Sequence, residues 1–270
     1  MKQPGAVLSL LGGLAGLLGW SLVQAQSVPP TLSAMPAAAA QLAPLVQPDG
    51  ELSPRWRFVG FPKKQADLPP TLFEAAQIDQ QTALKVSTDA SYGTWVHPWR
   101  GPVPAQLQWR WRLDEPLSGG KGPADLLSKS GDDAALKVCV MFDLPLDNIP
   151  FVDRTVLRLA RSVSGEPLPA ATLCYVWDSA GPAPRQGVNP YTRRVRFISL
   201  RGRSAPLSRW VAESRDVGQD FATLFADELP QGSETPRAEL PAVTQVVIGA
   251  DSDNTASRST GWIQGIRWAP

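Results

Sequence analysis

Apolar and polar side chains alternate with a period of two along most of the chain beyond its N-terminal region. In Leu107–Leu113, Leu107, Trp109, Trp111 and Leu113 share one face, and Gln108, Arg110 and Arg112 share the other. Leu136, Val138, Val140 and Phe142 repeat the pattern opposite Lys137, Cys139 and Met141. Successive side chains of a strand point to opposite faces, so each segment predicts a half-buried strand. Segments of similar texture, bounded by Gly, Pro, Asp and Ser, lie at 56–60, 72–78, 82–88, 92–97, 171–177, 193–200, 209–215, 243–250 and 261–268. Two segments follow a helical period instead. Val152, Val156, Leu159 and Val163 mark 152–163; Phe221, Leu224 and Phe225 mark 218–227, with Asp220 in its first turn. The pattern predicts an all-β domain, an antiparallel β-sandwich of jelly-roll-like layout, with the two short helices over a sheet edge or sandwich end.

The N-terminal region differs. Met-Lys-Gln precedes an apolar run from Ala6 to Trp20, and Val23 and Ala25 stand at the small-residue spacing that a signal peptidase reads. The run is shorter than the roughly 20 residues of a membrane-spanning helix. Residues 1–25 therefore read as a secretory leader, with a periplasmic or secreted destination and no membrane span after its removal. Residues 26–54, rich in Ala, Pro and Gln, read as a flexible arm. Residues 55–270 read as a single domain, large enough to bury a core.

Charge narrows the function. The chain has 26 Lys and Arg against 25 Asp and Glu, so no global basic field exists to gather nucleic acid. Export makes a disulfide chemically accessible to Cys139 and Cys174. Both stand in apparent strand cores, LKVCVMF and TLCYVW, and two buried free thiols are the expectation. A bridge requires that the two strands be neighbours.

Few residues qualify for chemistry. The lone histidine, His97, excludes multi-histidine zinc sites, and without a G-x-S-x-G elbow it reads as a hydrogen-bonding strand-end residue. No phosphate-binding glycine loop occurs. Two acidic loops flank predicted strands: Asp132 and Asp133 before 134–142, and Asp251, Asp253 and Asn254 after 243–250. Carboxylates with Asn suit a hard cation such as calcium, and they equally suit turns. Trp177 and Trp210 at strand ends suit stacking on a sugar ring. Asp178, Asn189, Arg194 and Glu213 are polar partners for such a ligand.

Several stretches together resemble a bacterial family, the domain-of-unknown-function family 3047. They are Leu107-Gln-Trp-Arg-Trp-Arg, Gly131-Asp-Asp-Ala-Ala-Leu-Lys-Val, Leu173-Cys-Tyr-Val-Trp-Asp, Asn189-Pro-Tyr-Thr, Trp210-Val-Ala-Glu-Ser-Arg-Asp-Val and Asp251-Ser-Asp-Asn-Thr, spread over residues 56–268. The resemblance implies no catalytic residues. The closing segment Gly261–Trp268 is similar in layout to galactose-binding-like jelly rolls, which place a ligand or calcium loop beside the last strand. The function expected is binding of a glycan or other polar cell-envelope ligand, with calcium as candidate cofactor. The alternatives are a glycan-cleaving enzyme using two of Asp132, Asp133, Glu213 and Asp216, and a structural or interaction protein of the envelope.

Overall fold

The computed structural model describes residues 41–60, 68–164 and 168–269. The expected leader and the first part of the expected arm lie outside these residues. Among the described residues, twelve strands and two α-helices follow in chain order. The strands are β1 (Arg57–Val59), β2 (Leu72–Ile78), β3 (Gln81–Asp89), β4 (Tyr92–Gly101), β5 (Gln106–Ser118), β6 (Ala134–Phe142), β7 (Ala171–Trp177), β8 (Arg185–Val188), β9 (Val195–Arg201), β10 (Val211–Arg215), β11 (Val243–Asp251) and β12 (Arg258–Ala269). Helix α1 (Phe151–Ser164) lies between β6 and β7, and α2 (Val217–Leu224) follows β10.

The strands form a seven-stranded sheet, β1-β4-β11-β6-β7-β9-β8, and a five-stranded sheet, β10-β5-β12-β3-β2. The all-β sandwich expectation holds. The larger sheet is mixed, because β7 and β9 run parallel. The chain leaves β7, forms β8 at the sheet edge, and returns to seat β9 between them. Strand β8 (Arg-Gln-Gly-Val) has too little apolar pattern to be seen in the sequence.

Alternation explains the core. Leu107, Trp109, Trp111 and Leu113 of β5 point inward and are fully or almost fully buried. They meet Leu136, Val138, Val140 and Phe142 of β6 in the space between the sheets. Aromatic rings bridge the layers: Trp109 lies 5.3 Å from Tyr175, and Trp111 lies 5.5 Å from Trp177, centroid to centroid. Helix α2 starts where Asp216 accepts a hydrogen bond from the Gln219 backbone N–H. It pushes Phe221 against Phe142 at 4.0 Å, and Phe225 stacks on Phe221 at 4.7 Å.

A second apolar layer covers the outer face of the seven-stranded sheet. Val96, Cys139, Cys174, Val176, Phe197 and Val247 gather there under Leu126. Here the free-thiol expectation is corrected. Cys139 and Cys174 stand directly opposite each other on antiparallel β6 and β7 and form a disulfide. A cross-strand pair brings the two Cβ atoms close enough for a bond, which spacing in the sequence cannot reveal.

The arm expectation also changes. Leu42 and Leu45 are buried in the main core, and Val46 pairs with Leu52. The buried His97 side chain accepts a hydrogen bond at Nε2 from the Ala43 N–H (3.1 Å), and the Trp56 indole N–H donates to the Ala43 carbonyl (3.0 Å). Burial holds the His97 pKa below its ordinary value, which keeps the imidazole a neutral acceptor. Residues 41–54 thus belong to the domain. Their proline-rich composition concealed two leucine anchors.

Arg194, an expected ligand-site residue, lines a groove beside α1, and its guanidinium is committed to a buried ion pair. Its guanidinium forks onto Glu228 (2.6 and 2.5 Å), which also accepts from Arg196 (2.5 Å). All three are buried, and they tie β9 to the turn after α2. Replacing Glu228 with Ala leaves two buried guanidinium groups short of a counter-charge and should cost about 3–5 kcal/mol in urea unfolding. Replacing both cysteines with Ser should cost about 2–4 kcal/mol in the same assay, and reduction of the wild type should reproduce that loss.

Candidate functional site

Antiparallel pairing of β6 with β11 places the start of one beside the end of the other, and Asp251 faces Ala134 across the ladder. The loops leading into β6 and out of β11 must therefore meet. Asp133 accepts hydrogen bonds from the backbone N–H groups of Asn254 (3.1 Å) and Thr255 (2.8 Å), and from the Thr255 hydroxyl (2.5 Å). The Asn254 side-chain amide donates to the Asp132 carbonyl at 3.1 Å. Asp251 accepts from the Ala134 N–H (2.9 Å) and from the Lys137 ammonium (2.6 Å).

Lys137 sits on the outer face of the sheet, inside the acidic cluster. Its ammonium lies 5.7 Å from the centre of the Tyr92 ring. Burial disfavours its charge, but Asp251, Tyr92 and Asp132 outweigh burial and raise its pKa above the ordinary lysine value. Gly249 on the neighbouring strand leaves room: a Cβ there would lie 3.2 Å from the Lys137 Cε and 3.1 Å from the Thr94 methyl.

The turn between β8 and β9 completes the cluster. The Asn189 amide donates to an Asp132 carboxylate oxygen at 2.5 Å. Tyr191 donates its hydroxyl to the Lys129 carbonyl (2.6 Å) or to the Asn254 side-chain oxygen (2.8 Å). Its ring is 57% exposed and has the Lys129 ammonium over it at 5.5 Å. Asn189 and Tyr191 also line a groove of about 480 Å³ beside α1, together with Val156, Leu168, Pro169 and Pro190. A polar cluster thus borders an apolar groove across a shared wall.

Two carboxyls in the cluster are electrostatically costly. Desolvation, with the like charge of Asp251, pushes Asp132 and Asp253 each up to about 6. Groups perturbed in this way collect at sites that bind or react.

The remaining expected site residues lie elsewhere. Trp177 is wholly buried against Trp111, which corrects its expected role as a stacking platform. Asp178 is buried, accepts from the Gly181 N–H (2.7 Å), and pairs with Arg185 (2.6 Å). Glu213 is held by the Trp111 indole N–H (2.8 Å) and Arg201 (2.7 Å). Trp210, half-buried, precedes β10 of the other sheet; its indole N–H donates to Asp79 (3.1 Å), and Arg110 lies over its ring at 5.3 Å. Asp216 caps α2 and pairs with Arg237 at 2.6 Å. Glu213 and Asp216 therefore each have structural partners of their own.

The calcium expectation meets a related obstacle. Asp133 spends its oxygens on the loop backbone and Thr255, and Asp251 spends its own on Lys137 and Ala134. The ammonium supplies the positive charge that a cation would bring. Among the described residues no three His, Cys, Asp or Glu side chains are arranged to hold a metal ion.

The sequence pattern marks Asp132, Asp133, Asp251, Asp253, Asn254 and Asn189 of this cluster and leaves Lys137, Tyr92 and Tyr191 unmarked. A lone lysine among the apolar outward positions of β6 was the available signal for Lys137.

The profile described as "Protein of unknown function (DUF3047)" matches residues 54–267. The chain belongs to this family. A search of curated proteins finds no match. Two solved structures similar to this DUF3047 chain are distant. One is the Endo-D glycoside hydrolase domain from Streptococcus pneumoniae R6, with 11% identity, a TM-score of 0.29, and coverage of 78% of this chain and 21% of that one. The other is the K2 cleaved adhesin domain of Lys-gingipain, with 7% identity, a TM-score of 0.34, and coverage of 86% and 99%. The chain thus spans about a fifth of the first structure's length.

The raised carboxyls give the cluster a pH signature. Between the ordinary carboxylate value and about 6, folded Asp253 keeps a proton that the unfolded chain has released. It therefore favours folding at low pH, and the contribution is lost as pH rises through about 6. Asp253→Asn should raise Tm at pH 7.5 and flatten the change in Tm between pH 5 and 7. Identical pH profiles for variant and wild type would contradict this assignment.

Proposed function

We infer that this DUF3047 protein is an exported binding domain whose ligand is a glycan or another polar molecule of the cell envelope. The observation that carries the reading is the exposed Tyr191 ring, fixed through its hydroxyl beside Asp132, Asn189 and Asn254 at the edge of the groove. Ligand sites join apolar walls to a few placed polar groups in clefts of roughly 300–1,000 Å³. An aromatic ring can stack on the apolar face of a sugar while the neighbouring carboxylate and amide groups bond its hydroxyls. Tyr191 takes the stacking role that the sequence had suggested for Trp177.

Two further observations support export. The chain opens with leader-like residues, and the Cys139–Cys174 disulfide suits an oxidising compartment. The near balance of basic and acidic residues argues against nucleic acid as the ligand.

A glycan-array assay on residues 26–270 tests the reading. Tyr191→Ala should weaken binding by about tenfold or more, the loss of roughly 1.4 kcal/mol of stacking. Trp210→Ala should leave binding unchanged. Affinity should change between pH 5 and 7 as Asp132 titrates near 6, and Asp132→Asn should abolish that change. A chelator should have no effect, since Lys137 supplies the cluster's positive charge. A blank array would remove the glycan, and release of reducing sugar would turn the same cluster into an acid–base site.

A further inference from the structure

His97 is the only histidine in the chain, and the fold places it among apolar side chains. It alternates with Trp95 and Trp99 along β4, on the face that packs into the main core, and it is 4% exposed. Its ring meets the Trp56 indole edge-on, with 5.0 Å between centroids. Burial of this kind opposes the charged imidazolium.

The ring also holds the arm. Its Nε2 accepts from the Ala43 N–H, and the Trp56 indole N–H donates to the Ala43 carbonyl, so aromatic side chains hold both polar backbone groups of Ala43. Leu42 and Leu45 enter the core beside it. The chain then turns back, and the Ser53 N–H donates to the Leu45 carbonyl at 3.0 Å. Leu42, Leu45 and Val46 share a groove of about 420 Å³ with Leu84, Ile263 and Ile266 of the five-stranded sheet. Residues 41–54 therefore bridge from β4 of one sheet to β3 and β12 of the other.

Acceptance at Nε2 restricts the charge state of the ring. A neutral imidazole has one acceptor nitrogen, and here that nitrogen serves the Ala43 N–H. Protonation places a hydrogen on Nε2, and two N–H donors then face each other 3.1 Å apart at an apolar edge. The seated arm and the charged ring are incompatible. The Arg55 guanidinium, the charged group that acts on the ring, opposes protonation further, while the Pro98 backbone favours it. Strand β11 presents Val246 opposite His97. On the five-stranded sheet, the charged residue at the arm's groove is Arg267. The arm's own carboxylates, Asp49 and Glu51, stand exposed in its turn.

We propose that the arm is an acid-released clip: protonation of His97 unseats residues 41–54 and opens the edge of the sandwich at Leu84, Ile263 and Ile266. The direction follows from linkage. With the arm released, His97 titrates at its ordinary value of 6.5; with the arm seated, it titrates below that value. The clip holds fully above about 6.5 and loosens as pH falls below it, the released fraction rising by at most about tenfold per pH unit. Asp132 and Asp253 act in the opposite sense, since their raised carboxyls favour the folded state on the acid side. A readout local to the arm therefore separates the two effects.

Hydrogen exchange of untagged residues 26–270 between pH 5 and 8, corrected for the intrinsic pH dependence of exchange, tests the clip. Protection of residues 42–53 should fall by several-fold to about tenfold between pH 6.5 and 5, while β6 stays protected. The single imidazole signal in the proton NMR spectrum belongs to His97, and its titration should follow the loss of protection. His97→Gln keeps an acceptor for the Ala43 N–H without titrating, so protection of the arm should become independent of pH. Wild-type protection of 42–53 that stays constant from pH 8 to 5 would overturn the proposal. So would a His97 signal that titrates while the arm remains protected, or a folded His97→Gln variant that keeps the wild-type pH dependence. The two wild-type measurements decide the question even where the variant fails to fold.

Discussion

The antiparallel pairing of β6 with β11 is the constraint on which both core and site depend. Its inward positions carry Leu136, Val138 and Val140 against Val246 and Ile248, at the centre of the main core. Its outward positions carry Lys137, and Cys139 anchors the neighbouring strand β7. Its end brings two loops together that are separated by more than half the domain in sequence. A one-residue slip in this ladder would turn every buried side chain outward and separate Asp251 from Lys137.

The molecule handles its internal charges in two contrasting ways. Around Glu228, two arginines and a carboxylate satisfy one another in a buried arrangement. Around Lys137, several carboxylates share a single ammonium, and two of them are pushed up to about 6. The first arrangement pins β9 to the α2 turn. The second costs folding energy at neutral pH, and a binding site commonly carries a cost of this kind.

The groove joins these parts to the surface. One wall belongs to α1, and the other to the Asn189–Arg194 turn that also reaches the acidic cluster. That turn exists because β8 occupies the sheet edge and the chain must reverse to place β9 inside it. A small irregularity of topology therefore supplies the segment that carries Asn189 and Tyr191.

How much the sequence determined follows from the range of the forces involved. Alternation in Leu107–Leu113 and Leu136–Phe142 marked the strands and their buried faces, because burial acts residue by residue along a strand. The sandwich, both helices and the acidic loops were legible for the same reason. Pairing was not, because it joins residues far apart in the chain. The Cys139–Cys174 bond, the parallel β7–β9 ladder, the anchoring of Leu42 and Leu45, and the joining of Asp132 to Asn189 all rest on such contacts. Trp177 shows the limit most plainly. Its place at a strand end beside Asp178 suggested exposure, and the opposite sheet buries it completely. Local pattern determined which residues form strands and which face each prefers; only tertiary packing decided which preferences were met, because the free energy of burial belongs to the pair of surfaces and not to either one alone.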